Sequence, residues 1–180
     1  MKYRTICVDP PWRYDDNLTM DHAIQRGAAT NYDVMTVAKI AEIPVGAWAE
    51  SDAHLYIWTT NAFMVEAHEL AKAWGFEQKT ILTWCKTQIS MGHYYRNSTE
   101  HVLFCVRGRL SVQRHDVPTH FVMPRGRHSA KPEGFYDMVE TMSPGPYLDV
   151  FARRQRLGWE TYGLECFTPE SLKDSLPTPR

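Results

Sequence analysis

Short apolar runs bounded by breakers alternate with stretches in which apolar residues recur every three or four positions. This change of period along the chain predicts strands interleaved with helices. Thr5-Ile6-Cys7-Val8 is the first such run, closed by two prolines. Ala53–Thr59, Thr80–Trp84, His101–Val106 and Tyr147–Phe151 read as further strands, rich in branched and aromatic residues; Thr119–Met123 reads as an edge strand and Glu160–Gly163 as the last one. Phe63, Ala67, Leu70 and Trp74 share one face of a helix over Ala62–Trp74, which Gly75 can close. Thr36 caps a short helix that stops before Pro44. Lys131-Pro132-Glu133 starts another, with Phe135, Met138, Val139 and Met142 as its apolar face. Arg13–Thr30, Lys86–Tyr95 and Ala152–Gly158 read as loops.

That alternation predicts an α/β fold, a single domain built on a mainly parallel sheet with helices on both faces. Ligands of such sheets bind beyond the carboxyl ends of the strands. The edge so defined is expected to gather Asp9, Thr59, Trp84 and Arg153.

Composition adds bounds. The 180 residues, 43% hydrophobic and 23% charged, suit one domain over residues 1–166. Residues 167–180 are polar and proline-rich, and a disordered tail is expected there. No apolar run approaches the roughly 20 residues of a membrane span, and no signal-peptide pattern opens the chain, so a soluble cytoplasmic protein is expected. Cys7, Cys85, Cys105 and Cys166 show no paired spacing and are expected to be reduced core thiols. The formal net charge of −1 hides an uneven distribution: residues 107–156 carry nine Lys/Arg against five Asp/Glu, while residues 1–106 carry nine against twelve. Arg107, Arg109, Arg114, Arg125 and Arg127 fall in loop-rich sequence of that basic segment, which suggests a phosphate-contacting surface.

The candidate chemistry sits at Asp9-Pro10-Pro11-Trp12, directly after the first strand. Two prolines fix the torsions and remove two amide donors, so the carbonyls of Asp9 and Pro10 are held as acceptors. An exocyclic amine on a planar base carries two N–H donors. The Asp9 carboxylate can take one and the Pro10 carbonyl the other, which draws the nitrogen toward tetrahedral geometry and frees its lone pair. Trp12, helped by Tyr14, offers a face for a flipped-out base. The bland alternative is a rigid turn with Trp12 as a core plug.

Commoner machineries are missing. The chain has no phosphate-binding G-x-x-x-x-G-K-[ST], no G-x-G-x-x-G after a strand, no H-E-x-x-H metal pair and no G-x-S-x-G elbow. Three places suit a nucleotide-like cofactor. Lys131, at a helix start, can pair with a carboxylate; Phe151 and Arg153 end an apolar strand; Glu165 can accept from ribose hydroxyls.

Six motifs in order give the chain a resemblance to the DPPW-type N(6)-adenine methyltransferases, the MT-A70 family. They are D-P-P-W at 9–12, I-L-T-W-C-K-T at 81–87, N-S-T-E-H-V-L at 97–103, H-S-A-K-P-E at 128–133, Y-L-D-V-F-A-R at 147–153 and G-W-E-T-Y-G at 158–163. The resemblance implies a Rossmann-like methyltransferase domain, circularly permuted so that the catalytic strand precedes the cofactor strand. It implies S-adenosylmethionine as cofactor and the 6-amino group of adenine in DNA or RNA as acceptor. By the same resemblance Asp9, Pro10, Pro11 and Trp12 form the catalytic loop, Val8, Asp9, Lys131, Phe151, Arg153 and Glu165 contact the cofactor, and Tyr32, Trp84 and Lys86 border the target base. Gln155, Arg156 and Leu164 depart from residues common in the family. The short form resembles bacterial and phage DNA-modifying members, so DNA is the expected substrate. RNA methylation and an inactive nucleic-acid-binding homologue stay open as alternatives, and a homodimer is an allowed assembly.

Overall fold

The computed structural model describes residues 1–12, 35–90, 94–125 and 130–163. The expected tail, the Arg13–Thr30 loop, Tyr14, Tyr32, Arg127, Leu164, Glu165 and Cys166 lie outside them.

Strands β1 (Tyr3–Val8), β2 (Ala49–Thr59), β3 (Glu77–Ser90), β4 (Asn97–Arg107), β5 (His120–Met123), β6 (Tyr147–Val150) and β7 (Trp159–Tyr162) form one sheet in the order β5-β3-β4-β2-β1-β6-β7. β1 pairs in parallel with β2 and β6, β6 with β7, and β3 with β5. β4 runs antiparallel to both of its neighbours, β2 and β3. The sheet is therefore mainly parallel, with β4 alone reversed. The carboxyl ends of β1, β2, β3 and β6 share one edge, and the amino end of β4 joins them there.

Helices α1 (Val37–Ala41), α2 (Val45–Trp48) and α3 (Met64–Ala73) pack on one face and α4 (Glu133–Met142) on the other. The period-2 pattern of the strands divides the core accordingly. Ile6, Val8, Leu55, Ile57 and Leu103 meet Ile40, Val45, Trp48, Ala67 and Leu70 on the first face. Cys7, Tyr56, Trp58, Trp84 and Val102 meet Phe135, Tyr136 and Val139 of α4 on the second. Both faces of the central strands are buried, which explains why they read as unbroken apolar runs.

The expected elements are present with shifted ends. Thr36 caps α1, its hydroxyl oxygen accepting from the Lys39 amide at 3.4 Å. The helix expected from Ala62 begins as a 3-10 turn at Asn61–Phe63. The loop expected over Lys86–Tyr95 is corrected: β3 continues to Ser90 and pairs with Asn97 at the start of β4 as a long hairpin. The arm outlasts the core beneath it, so its side chains turn mostly polar, and its register with β4 is interrupted between Cys85 and Ser90 before the last pair. Cys7 and Cys105 are buried and Cys85 half-buried, all three as free thiols. Among the described residues no helix is long and apolar enough to cross a membrane.

Candidate active site

Asp9 continues β1 past its last residue: its amide donates to the Val150 carbonyl of β6 at 3.2 Å, so strand pairing fixes its backbone. Its side chain, 15% exposed, points at the ammonium of Lys131, whose Nζ lies 3.1 Å from Asp9 Oδ1 and 2.9 Å from Glu100 Oε2. The other oxygen of Glu100, Oε1, accepts from Lys86 Nζ at 2.5 Å. The side chains thus form a row of alternating charge, Asp9, Lys131, Glu100, Lys86, along the carboxyl edge of the sheet.

Each member arrives from a different element. Lys131 stands two residues before α4, Glu100 sits opposite Trp84 in the β3–β4 ladder, and Lys86 follows two residues after Trp84 on the same arm. Two indoles floor the row. Lys131 Nζ is 4.7 Å from the ring centre of Trp58 and Lys86 Nζ is 5.1 Å from that of Trp84. The two indoles meet edge to face at 5.9 Å.

Burial would raise the pKa of every carboxyl in this row, and the lysines decide the outcome. For Asp9 burial prevails: Lys131 and Arg153 pull back, but the carboxyl stays above its ordinary value, with Glu100 adding repulsion. For Glu100, between two lysines, the attraction overcomes burial and holds its pKa at about 2. Lys131 is pushed up, because Asp9 and Glu100 outweigh its own desolvation. One layer deeper on β6, Asp149 is 6% exposed and accepts from the Tyr136 hydroxyl at 2.9 Å. Burial, with repulsion from Asp9, raises its pKa to about 7.

The structure amends several expectations. The Pro10 carbonyl is not clear of donors: the Trp12 amide donates to it at 2.8 Å, which leaves one lone pair. Nor is Asp9 without a donor, since Lys131 is on it. The Pro11 carbonyl accepts from the Met35 amide at 3.0 Å. Trp12 is no open stacking face: it is 8% exposed, lies parallel to Phe63 at 5.1 Å and donates from Nε1 to the Trp58 carbonyl at 3.2 Å. It anchors the loop into the core. Trp84, 3% exposed and hydrogen-bonded from Nε1 to the Met123 carbonyl at 2.8 Å, supports Lys86 from below. The Thr59 hydroxyl is engaged with the Phe63 carbonyl at 3.0 Å.

The basic segment divides. Arg107 ends the reversed strand β4 and therefore lies at the edge opposite Asp9. Its guanidinium donates to the carbonyls of Gly46 at 2.6 Å, Gly75 at 3.2 Å and Trp74, and covers the Phe76 ring at 4.7 Å. It is a tether between elements, which corrects its assignment to substrate. Arg109 shares that far edge, its amide held by Asp52, and Arg114 pairs with Asp116. Of the described arginines in that group, Arg125 is the one near the site, exposed and donating to Ser90 Oγ at 3.3 Å. Arg156, one of the positions that depart from residues common in the family, is turned to α4, onto Glu133, Asp137 and Glu140.

Phe151 closes β6 with a φ of 63°, a left-handed conformation unusual for an aromatic residue. Its amide donates to the Tyr162 carbonyl, and the backbone of Gly163 lies against it so closely that a Cβ there would meet Ala152 N at 2.4 Å. Val8, wholly buried between Ile57 and Val150, sets the height of Asp9. The pattern reading missed Glu100. Its position before an apolar strand gave no hint that two lysines converge on it.

The donors present fit S-adenosylmethionine. Lys131 is a buried ammonium for a carboxylate, and beneath it the Trp58 Nε1, buried and without a partner among the described residues, is a donor still to be satisfied. By the family resemblance Val8, Asp9, Lys131, Phe151 and Arg153 are the described positions expected to border that cofactor.

A mainly parallel sheet covered on both faces, with this charged row at its carboxyl edge, makes a single Rossmann-like domain, and its family match makes it a methyltransferase domain. Comparison of sequences gives the family. The MT-A70 model matches residues 3–165, and the chain belongs to that family. It is 26% identical over 90% of its length to the human N(6)-adenosine-methyltransferase catalytic subunit METTL3, and 27% identical over 90% to a putative N(6)-adenosine-methyltransferase MT-A70-like protein of Medicago truncatula. It is 26% identical over 91% to the human N(6)-adenine-specific methyltransferase METTL4. The chain spans 28%, 26% and 37% of those three proteins.

Proposed function

We propose that this domain transfers a methyl group from S-adenosylmethionine to the exocyclic 6-amino group of adenine in a nucleic acid, with DNA as the substrate and the order of its motifs reflecting a circular permutation. The observation that carries the reading is the Asp9 carboxylate, fixed at the end of β1 beside a buried lysine and next to the Pro10 carbonyl. S-adenosylmethionine supplies an electrophilic methyl on a sulfonium; the protein supplies position and charge.

Asp9 presents Oδ1 to Lys131 and keeps Oδ2 for one amine hydrogen, while the remaining lone pair of Pro10 takes the other. Glu100 holds Lys131 in place, so Asp9 can turn toward the amine without releasing the cation. Positive charge that develops on the nitrogen is met by Asp9. A carboxylate whose pKa is raised by burial then accepts the proton that the methylated nitrogen releases, at Oδ2. In a duplex the amine is paired, so the base must leave the stack.

The preference for DNA is supported by the likeness to METTL4, which is named an N(6)-adenine-specific methyltransferase. The names of the METTL3 relatives, N(6)-adenosine-methyltransferases, favour RNA as the second reading. Incorporation of labelled methyl into matched DNA and RNA strands, with and without adenine, tests both. Labelling of DNA that requires adenine and vanishes in Asp9→Ala is the expected result. Labelling independent of adenine, or unchanged in Asp9→Ala, overturns the proposal; labelling of RNA alone replaces DNA by RNA.

A further inference from the structure

Tyr94 and Tyr95 stand next to each other at the end of the β3–β4 hairpin and are 98% and 89% exposed. Large aromatic side chains gain from burial, and two adjacent rings left in water mark a surface that another molecule covers. Ile89, on the facing arm, is 69% exposed. The hairpin leaves the sheet at the same edge as Asp9, because its two arms carry Lys86 and Glu100 into the charged row.

Charge identifies the kind of molecule. The described residues of the two arms outside Glu100, 86–90 and 94–99, and of the adjoining segment 117–125 include Lys86, Arg96 and Arg125 and no Asp or Glu. Glu100 is neutralised by its two lysines. Arg125 reaches the hairpin from the β5 side through Ser90. Exposed π-faces among arginines, with no free carboxylate, complement a polyanion whose units are themselves flat rings.

We infer that Tyr94 and Tyr95 form a platform on which unpaired bases of a single-stranded nucleic acid, or of a strand opened around the target, stack beside the pocket, with Arg96 and Arg125 on its phosphates. The inference rests on the proposed acceptor class and adds to it a place where the bases beside the target are held. The face is separate from the loop that grips the amine.

Fluorescence anisotropy tests it with labelled single-stranded DNA, RNA of the same sequence, and a DNA strand with abasic sites beside the adenine. In Tyr94→Ala/Tyr95→Ala the affinity should fall by about tenfold or more, whereas Tyr94→Phe/Tyr95→Phe should keep it, since stacking needs the ring and not the hydroxyl. The abasic strand should bind the wild type as weakly as the intact strand binds the alanine variant. The DNA and RNA arms show which strand the platform prefers. S-adenosylmethionine affinity, measured by calorimetry, should be the same in all three proteins.

Equal strand affinity in the alanine variant overturns the inference, as does wild-type protein that binds no strand. A wild-type dimer that dissociates in the alanine variant also overturns it and assigns the face to a second copy of this chain. Tyrosine-dependent binding without methyl transfer leaves the platform standing and sinks the methyl-transfer reading. Adenine labelling with an unaffected alanine variant does the reverse.

Discussion

Lys131 Nζ lies 3.1 Å from Asp9 Oδ1, so the carboxylate proposed to grip an amine already holds an ammonium. The pair fixes Asp9 in direction and limits how far burial raises its pKa. It also makes Lys131 the residue on which two buried carboxylates depend.

Lys131→Met should therefore be more damaging than the loss of a surface ion pair. It leaves Asp9 and Glu100 buried with fewer partners, and removing one member of such a cluster typically costs about 3 to 5 kcal/mol. Urea titration should show that loss, and calorimetry with S-adenosylmethionine should show weakened binding in the fraction that stays folded. Native-like stability would mean that water reaches the row and screens it.

Acid should weaken the same row. Glu100 ionises at about 2 in the folded chain, against an ordinary 4.5, so the folded state binds its proton less tightly than the unfolded one. Stability from this group is complete above pH 4.5 and disappears as pH falls toward 2, about 3 kcal/mol in all. Glu100→Gln should flatten the stability curve across that window when unfolding is followed at a series of pH values.

Asp149 works in the opposite sense. Its folded pKa of about 7 exceeds the ordinary 3.8, so the folded state holds the proton more tightly, and stability declines as pH rises between those values. Asp149→Asn keeps an acceptor for the Tyr136 hydroxyl and removes the buried charge. It should melt higher than the wild type at pH 8 and show no such gain at pH 4. A lower melting temperature at pH 8 would show that the ionised form is the one the fold prefers.

Arg107→Ala separates the two halves of the basic segment. Loss of three carbonyl partners and of the contact with Phe76 should destabilise the chain by about 2 kcal/mol. Strand affinity should be unchanged, because the residue is at the far edge. A large drop in affinity with full stability would return Arg107 to the substrate surface.

Gly163→Ala should disturb the turn at Phe151 from behind. An added methyl carbon would stand 2.4 Å from Ala152 N and 2.6 Å from Phe151 C, both backbone atoms that cannot swing aside. The expected outcome is a lower melting temperature together with weaker binding of S-adenosylmethionine, read by calorimetry.

Much of the fold was legible because each central strand is buried on both faces and each helix on one, so the periods differ visibly. Asp9 was legible for the same reason: an apolar run that stops at two prolines places the residue between run and prolines at a strand end. Lys131 followed from the proline that opens α4. Glu100 did not, because its partners come from a facing arm and a distant helix start, and cross-strand neighbours have no signature along a single segment. Arg107 was misread because charge along the chain carries no information about which end of a reversed strand it occupies. Trp12 read equally well as a stacking face or as a plug, and the nearby Phe63 decides for the plug.

The reversal of β4 separates the protein into a working end and a maintenance end. The stretch from Ser111 to Asp116, mostly exposed, hangs from the maintenance end before the chain climbs to β5. A fluorophore or an affinity tag grafted there would ride on the domain without crowding the Asp9 edge, which gives a handle for testing the proposed methyl transfer in single molecules.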